Sequence, residues 1–260
     1  MTATSMHVTV LMGVYNQRRY VQSAVESILG QSYMHWDLLI IDDASTDGTW
    51  ELLQSITRGD GRITIERNDL NRGLAASLNR GWRQARGNLI ARMDADDESL
   101  PERLQRQIEF LQDHPEVAVL GTGAELINEA GDSLGRMLRP AEHEALVSRI
   151  FRENPFIHPS VILRRSFLEA TGGYDDALRR GQDYDLWLRG YRRFRYANLP
   201  HALIRHRVRR SPSWSAVLYG MFVLARGGMR DRHGGMGVWY ALRFGFAAIL
   251  RGMRLYKSDT

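Results

Sequence analysis

Within the first 120 residues, short apolar runs hand over repeatedly to stretches whose apolar residues recur at helical spacing. Residues 7–12 (HVTVLM), 36–41 (WDLLII), 63–66, 89–93 and 117–120 read as strands. Between them, residues 20–29 carry Val21, Ala24, Val25, Ile28 and Leu29 on one helical face. A helix over 50–56 follows a turn rich in capping residues, and 73–85 repeats the stripe with Leu74, Leu78, Trp82 and Ala85. Pro101 is expected at the first position of the next helix, whose face is Leu104, Ile108 and Leu111. Parallel strands need crossovers of this length. The alternation therefore predicts an α/β fold, a mostly parallel central sheet flanked by helices, with ligands at the carboxyl ends of the strands.

Beyond about residue 124 the pattern becomes mixed. A hairpin is expected around 128–132, a helix over 142–151, a strand over 160–163 and a helix over 183–189. No internal repeat or low-complexity linker separates the halves, so they are expected to share one core. The 260 residues include no cysteine, which excludes disulfide scaffolds, thiolate metal sites and cysteine nucleophiles. Any metal must sit on oxygen or imidazole. The amino terminus lacks a basic segment followed by a long apolar core, so no signal peptide is read and a cytoplasmic location is expected. From residue 200 onward ten arginines and Lys257 face only Asp231 and Asp259; this is +9 for the tail and −4 for the rest of a chain of net charge +5. A basic, aromatic-containing tail suits a polyanionic surface.

The polar motifs fall at the predicted strand ends. Arg92-Met93-Asp94-Ala95-Asp96-Asp97 packs three carboxylates behind a buried strand. They repel one another unless a cation neutralises them, and oxygen-only ligands suit Mg²⁺ or Mn²⁺ shared with a substrate phosphate. Asp97 and Glu98 alone fit the role of acids at a helix start, whereas Asp94 and Asp96 do not. Asp42-Asp43 ends the second strand; Asp47 or Ser45 is the better cap for the next helix, which leaves Asp43 free to meet a base or ribose. After the first strand, Gly13 permits close approach, Tyr15 offers a stacking ring, and Asn16 completes the turn.

Three segments carry a resemblance: VTVLMGVYNQRRYVQSAVESILGQSYMHWDLLIIDDASTDGT, NRGLAASLNRGWRQARGNLIARMDADD and HPSVILRRSFLEATGGYDDALRRGQDYDLWLRG. In order and spacing, from about residue 7 to 206, the chain resembles a family 2 glycosyltransferase of the GT-A fold. The resemblance implies a nucleotide-sugar-binding half over 1–125, an acceptor-binding half over 126–210 and a basic helical extension over 211–260. It implies that Gly13, Tyr15, Asn16, Asp43, Asn71, Arg72, Asp94 and Asp96 bind a nucleotide-diphospho-sugar, a UDP-sugar being the expected donor. Asp94 and Asp96 form the DxD motif for a divalent cation, Mn²⁺ or Mg²⁺. Asp183 is implied as the catalytic base of an inverting reaction, on a helix whose apolar face is Leu186, Trp187 and Tyr191, with Asp185 its solvent-facing neighbour. Many family members carry Glu-Asp where this chain has Gln182-Asp183, and the QxxRW motif of processive synthases is absent, which argues against a processive polymerase.

Two histidines complete the expected site. His158, read as beginning a strand, matches a position near the acceptor, and His206 is placed on a mobile loop within reach of the metal or diphosphate. Residues 211–215 read as a flexible connection or lid. The apolar stretch 236–250, interrupted by Arg243, is too short to span a bilayer, and with Arg251, Arg254 and Lys257 behind it residues 236–257 read as an amphipathic helix on an anionic membrane, not a nucleic-acid site. The acceptor is then a sugar or lipid-linked sugar in bacterial-type polysaccharide or glycolipid assembly. Two alternatives compete. A sugar nucleotidyltransferase lacks support because no Gly-rich loop with a Lys follows the first strand, and a non-catalytic nucleotide-sugar-binding protein gives Asp94, Asp96 and Asp183 no reason to occur together.

Overall fold

Strand boundaries follow the apolar runs in the first hundred residues. A computed structural model describes residues 6–208 together with 223 and 226. In chain order the elements are β1 (Val8–Val14), α1 (Val21–Leu29), β2 (Trp36–Asp42), α2 (Thr49–Ile56), β3 (Ile63–Arg67), α3 (Leu74–Gln84) and β4 (Leu89–Asp94). Then come β5 (Glu98–Ser99), α4 (Arg103–Asp113), β6 (Val117–Ile127), β7 (Ser133–Met137), α5 (His143–Ser148), a 3-10 turn (His158–Ser160) and β8 (Ile162–Arg164). The last are α6 (Arg165–Thr171), α7 (Gln182–Gly190) and β9 (Arg195–Arg207).

One sheet runs in the order β3-β2-β1-β4-β8-β6-β9-β5, with β7 paired to β6. It is parallel from β3 to β4 and mixed beyond, where β8 is antiparallel to both β4 and β6 while β6 and β9 are parallel. Alternation along the strands divides the core in two. Leu11, Leu39, Ile41, Ile90, Val119 and Leu163 face α3, α6 and α7, whose Leu78, Phe167 and Trp187 are fully buried. Val10, Met12, Ile40, Ala91 and Met93 face α1 and α4, which present Val21, Val25, Ile28, Leu104, Ile108 and Leu111. The first face continues into both halves of the chain, so the expected shared core is found.

The structure departs from the sequence reading at several points. Pro101 lies two residues ahead of α4, because its carbonyl accepts the Ser32 N–H (2.9 Å) and the turn it forms precedes the helix start at Arg103. His158 opens the 3-10 turn rather than a strand, as Pro159 stands in the first positions of that turn. The strands β5 and β9 and the helix α6 were not anticipated. No helix among the described residues is long and apolar enough to cross a membrane. The connection at 211–215 and the 236–257 helix lie outside the described residues. Of the extension, Val223 is fully buried in the core and Arg226 pairs with Asp175 at 2.6 Å.

The loop leading to α7 is tied to α3. Asn79 accepts the Tyr174 N–H (2.9 Å) and donates to the Tyr174 carbonyl (2.7 Å), while the Trp82 indole N–H donates to Asn79 Oδ1 (2.9 Å). Gly173 permits this approach: its φ is +74°, and a Cβ there would stand 2.5 Å from Asn79 Oδ1 and 2.7 Å from Trp82 Nε1. Gly173→Ala combines left-handed strain with a clash, so it should lower the unfolding free energy by about 2–5 kcal/mol in a urea titration. An unchanged midpoint would mean that the loop is not anchored in this way.

Candidate active site

Parallel pairing sets the carboxyl ends of three strands side by side: Gly13 is opposite Asp94 and Val14 opposite Asp42. The loops that follow are stitched together by small polar groups. Asn16, at φ +52°, donates its N–H to Ser45 Oγ (3.0 Å) and accepts the Thr46 N–H (2.9 Å) on its side chain. The cap of α2 is Gly48, at φ +86°, rather than Asp47 or Ser45: Asp47 stands one residue ahead of it and accepts the Thr49 N–H (3.0 Å), and Ser45 serves the Asn16 turn. Asp43 is buried, accepting from Asn68 Nδ2 (2.7 Å), Arg72 N (2.9 Å) and Gly73 N (2.8 Å). It therefore holds the 68–73 loop at the amino end of α3, where the helix dipole favours an anion. Gly13 makes its close approach to α3, since a Cβ would meet Leu74 Cδ1 at 2.8 Å. Tyr15 stands 46% exposed, and the Asn71 and Arg72 side chains are exposed on the same rim.

At the end of β4, ligand oxygens of Asp94, Asp96 and Asp97 all lie within 4.8 Å of one another. Asp97 is fully buried and accepts from His206 Nδ1 (2.8 Å) and the Arg207 N–H (2.7 Å). It does not act as a helix-start acid, and neither does Glu98, which lies in β5 and pairs with Arg205; α4 begins only at Arg103. His206 belongs to β9 rather than to a loop, and burial, which opposes its protonation, is outweighed by Asp97, so its pKa is raised. Asp94 pairs with Arg92, itself 1% exposed, and the buried Arg103 donates to the Arg92 carbonyl (2.7 Å). Burial, followed by the charge of Arg92, pushes Arg103 down to about 9. Burial and the two neighbouring carboxylates push Asp96 up to about 6. It borders a cavity of about 240 Å³ shared with Arg19, Tyr20, Glu129 and Arg207. With both Asp97 oxygens engaged inside the protein, Asp94 and Asp96 are the pair that fits Mg²⁺ or Mn²⁺, and the all-oxygen donor set matches those ions.

On the other side of the cleft, α7 starts after Gly181 and holds Asp183 half-buried in its first turn. Asp183 Oδ2 accepts from Asn154 Nδ2 at 2.7 Å. Asp185 is buried, against expectation: Arg189 lies one turn on, donates to it (2.7 Å), and reaches the carbonyls of Thr171 and Gly173. His158, half-buried at the start of the 3-10 turn, has its Nε2 3.0 Å from the Tyr174 hydroxyl. Burial, with the Arg92 charge next, pushes its pKa down to about 4, while Asp183 and Asp94 both act on it in the opposite sense. His158 is thus a neutral imidazole at neutral pH, within electrostatic reach of both carboxylates.

Residues 9–172 match Glycosyl transferase family 2. The chain belongs to that family. It is 40% identical to EpsE of Bacillus subtilis (strain 168) over 204 residues, covering 77% of this chain and 72% of that one. It is 31% identical over 219 residues to the O-antigen biosynthesis glycosyltransferase WbnJ of Escherichia coli, covering 82% and 84%. Among solved structures, S. aureus TarS 1-349 in complex with UDP-GlcNAc superposes with a TM-score of 0.73 at 19% identity, covering 93% of this chain and 73% of that one. The mannosyltransferase PcManGT from Pyrobaculum calidifontis, in complex with GDP-Man and Mn²⁺, gives 0.69 at 18%, covering 96% and 76%. The fold of this glycosyltransferase is the GT-A fold of those enzymes.

Three residues of the transferase's cleft were not singled out in the sequence. Arg92 reads there as one more strand position, Tyr174 lies in the quoted GGYDD stretch without a role, and Asn154 is marked only by the proline after it. The raised Asp96 carboxyl carries a stability consequence with a definite sign. It titrates at about 6 in the folded, cation-free enzyme and near ~4 when unfolded, so its contribution is whole below about 4 and is lost as pH rises through about 6. Asp96→Asn stays neutral throughout. In EDTA-stripped protein the variant should match wild type near pH 4 and exceed it by roughly 1–3 kcal/mol at pH 7. Urea titrations across that range check this, and a gap that closes with rising pH would contradict it.

Proposed function

We propose that the glycosyltransferase moves a sugar from a nucleoside-diphosphate sugar to an acceptor hydroxyl with inversion at the anomeric carbon. The observation that carries this reading is the pairing, across one half-buried imidazole, of a cation-type acidic turn with Asp183, which Asn154 holds by a hydrogen bond. The nucleotide sugars held by the TarS and PcManGT structures support the donor class, and the Mn²⁺ in the latter supports the cation. WbnJ, named for O-antigen biosynthesis, supports a place in surface polysaccharide or glycolipid assembly.

Each residue then has a distinct task. Tyr15 stacks on the base, and the Asp43-braced loop presents Asn71 and Arg72 to the nucleotide. Asp94 and Asp96 hold a divalent cation, which when bound supplies positive charge against the leaving diphosphate. Arg72 adds a fixed cation for the same charge. Asp183 takes the proton of the attacking acceptor hydroxyl, and its bond from Asn154 fixes the direction of the carboxylate. His158 lies beside the acceptor and stays neutral, so it donates or accepts a hydrogen bond without adding charge. His206 acts on the cation site through Asp97. The acceptor is a sugar or lipid-linked sugar at the inner face of the membrane.

A nucleotide-release assay over UDP-, GDP- and dTDP-sugars with Mn²⁺ or Mg²⁺ tests this. Asp183→Asn should lower turnover by about 10²–10⁴-fold while keeping nucleotide affinity near wild type. Asp96→Ala should instead lose cation-dependent nucleotide binding. Substantial turnover in Asp183→Asn would remove it from the role of base, and release of pyrophosphate in place of nucleoside diphosphate would make the enzyme a nucleotidyltransferase.

A further inference from the structure

Arg92 is buried to 1% exposure, yet among the described residues its guanidinium has a single hydrogen-bond partner, Asp94 Oδ1, and Nε and Nη1 have no acceptor. Alternation along β4 places Ile90, Arg92 and Asp94 on one face, the face of the sheet that looks toward Leu78 and Trp187 and carries the cleft. A buried ion with one acceptor is a costly way to fill space, and an apolar side chain of similar volume would pack there at lower cost. The guanidinium also cannot shed its proton, so the charge is permanent. What this position retains is therefore a fixed positive charge bonded to one of the two carboxylates left open for a cation.

We infer that Arg92 competes internally with the divalent cation for Asp94, holding the affinity for bare cation low so that cation and nucleoside diphosphate load together. The inference rests on the reading of Asp94 and Asp96 as the cation site. Three carboxylates within 4.8 Å would otherwise attract a divalent ion strongly by themselves. Arg92 occupies an oxygen that the ion needs and repels the ion at short range. An arriving diphosphate brings negative charge that offsets Arg92 and restores the attraction. Because linkage is reciprocal, the cation then strengthens nucleotide binding by the same factor. Arg103, from the opposite face of the sheet, bonds the Arg92 carbonyl (2.7 Å) and fixes the backbone from which the guanidinium projects.

Calorimetric titration of the full chain with Mn²⁺, alone and in the presence of UDP, tests this. Arg92→Met should bind Mn²⁺ alone about tenfold or more tightly than wild type, and the gain from adding UDP should shrink by a similar factor. Arg92→Lys, whose ammonium can shed its proton when buried, should bind Mn²⁺ alone with an affinity between wild type and Arg92→Met. Circular-dichroism melts confirm folding, and Arg92→Gln is the neutral alternative if the methionine variant does not fold. Wild type gives a further check, since Mn²⁺ and UDP must tighten each other at least about tenfold, and independent binding would overturn the inference. A folded neutral variant with wild-type or weaker Mn²⁺ affinity would overturn it too, while leaving the cation site intact so long as Asp94→Asn weakens Mn²⁺ binding. Failure of wild type to bind Mn²⁺ even with UDP would remove the cation site itself and the inference with it.

Discussion

Three carboxylates gathered at the end of a buried strand must be balanced, and much of the architecture beyond β4 answers that demand. Asp97 is satisfied by His206 and the Arg207 amide, Asp94 by Arg92, and Arg103 lies beneath them. The first two counter-groups arrive on β9, a thirteen-residue strand that runs parallel to β6 from the core to the cleft. Arg207 also donates to the carbonyls of Asp96, Asn128 and Glu129 and stacks over Tyr20, which ties the β6–β7 hairpin to the start of α1. Burial raises both Asp96 and Asp97, but Asp97 has His206 and the Arg207 amide as partners, whereas Asp96 stands beside two carboxylates.

The same economy joins the halves of the chain. Asn79 on α3 holds the backbone of Tyr174; Tyr174 touches His158; and Arg189, bonded to Asp185, braces the Thr171–Gly173 segment from the side of α7. Asp183 is thereby held on a rigid helix whose Trp187 is fully buried against Phe156 and Phe167. A carboxylate on such a support keeps its geometry without depending on loop order, which is what the role proposed for Asp183 requires.

Legibility in the sequence followed the physics of each element. Strands β1, β2 and β4 are buried on both faces and read as continuous apolar runs, and α1 and α3 show clean stripes. β9 was invisible because Arg195, Arg205 and Arg207 interrupt any apolar pattern and Pro200 sits in its middle; the register passes from Leu199 to Ala202 there, so Pro200 and His201 bulge out of the ladder. β5 is two residues long, below any periodicity. At the site, the acidic turn and Asp183 could be named from residue type and family spacing. The separation of Asp97 from Asp94 and Asp96 could not, because it depends on His206, which is 109 positions away in sequence. Asp185 was misplaced for a local reason: its i+4 partner Arg189 supplies the charge that lets a carboxylate be buried.

The central claim is a single displacement, with the cation turn on one side of the anomeric carbon and Asp183 on the other. The most direct measurement is proton NMR of the sugar first released when the enzyme slowly hydrolyses its donor, recorded before the free sugar mutarotates. The account predicts that the initial anomer is opposite to that of the donor, so that an α-linked nucleotide sugar yields β-sugar. An initial product with the donor's own configuration would contradict it, since that outcome needs two displacements and a covalent intermediate for which this cleft assigns no nucleophile.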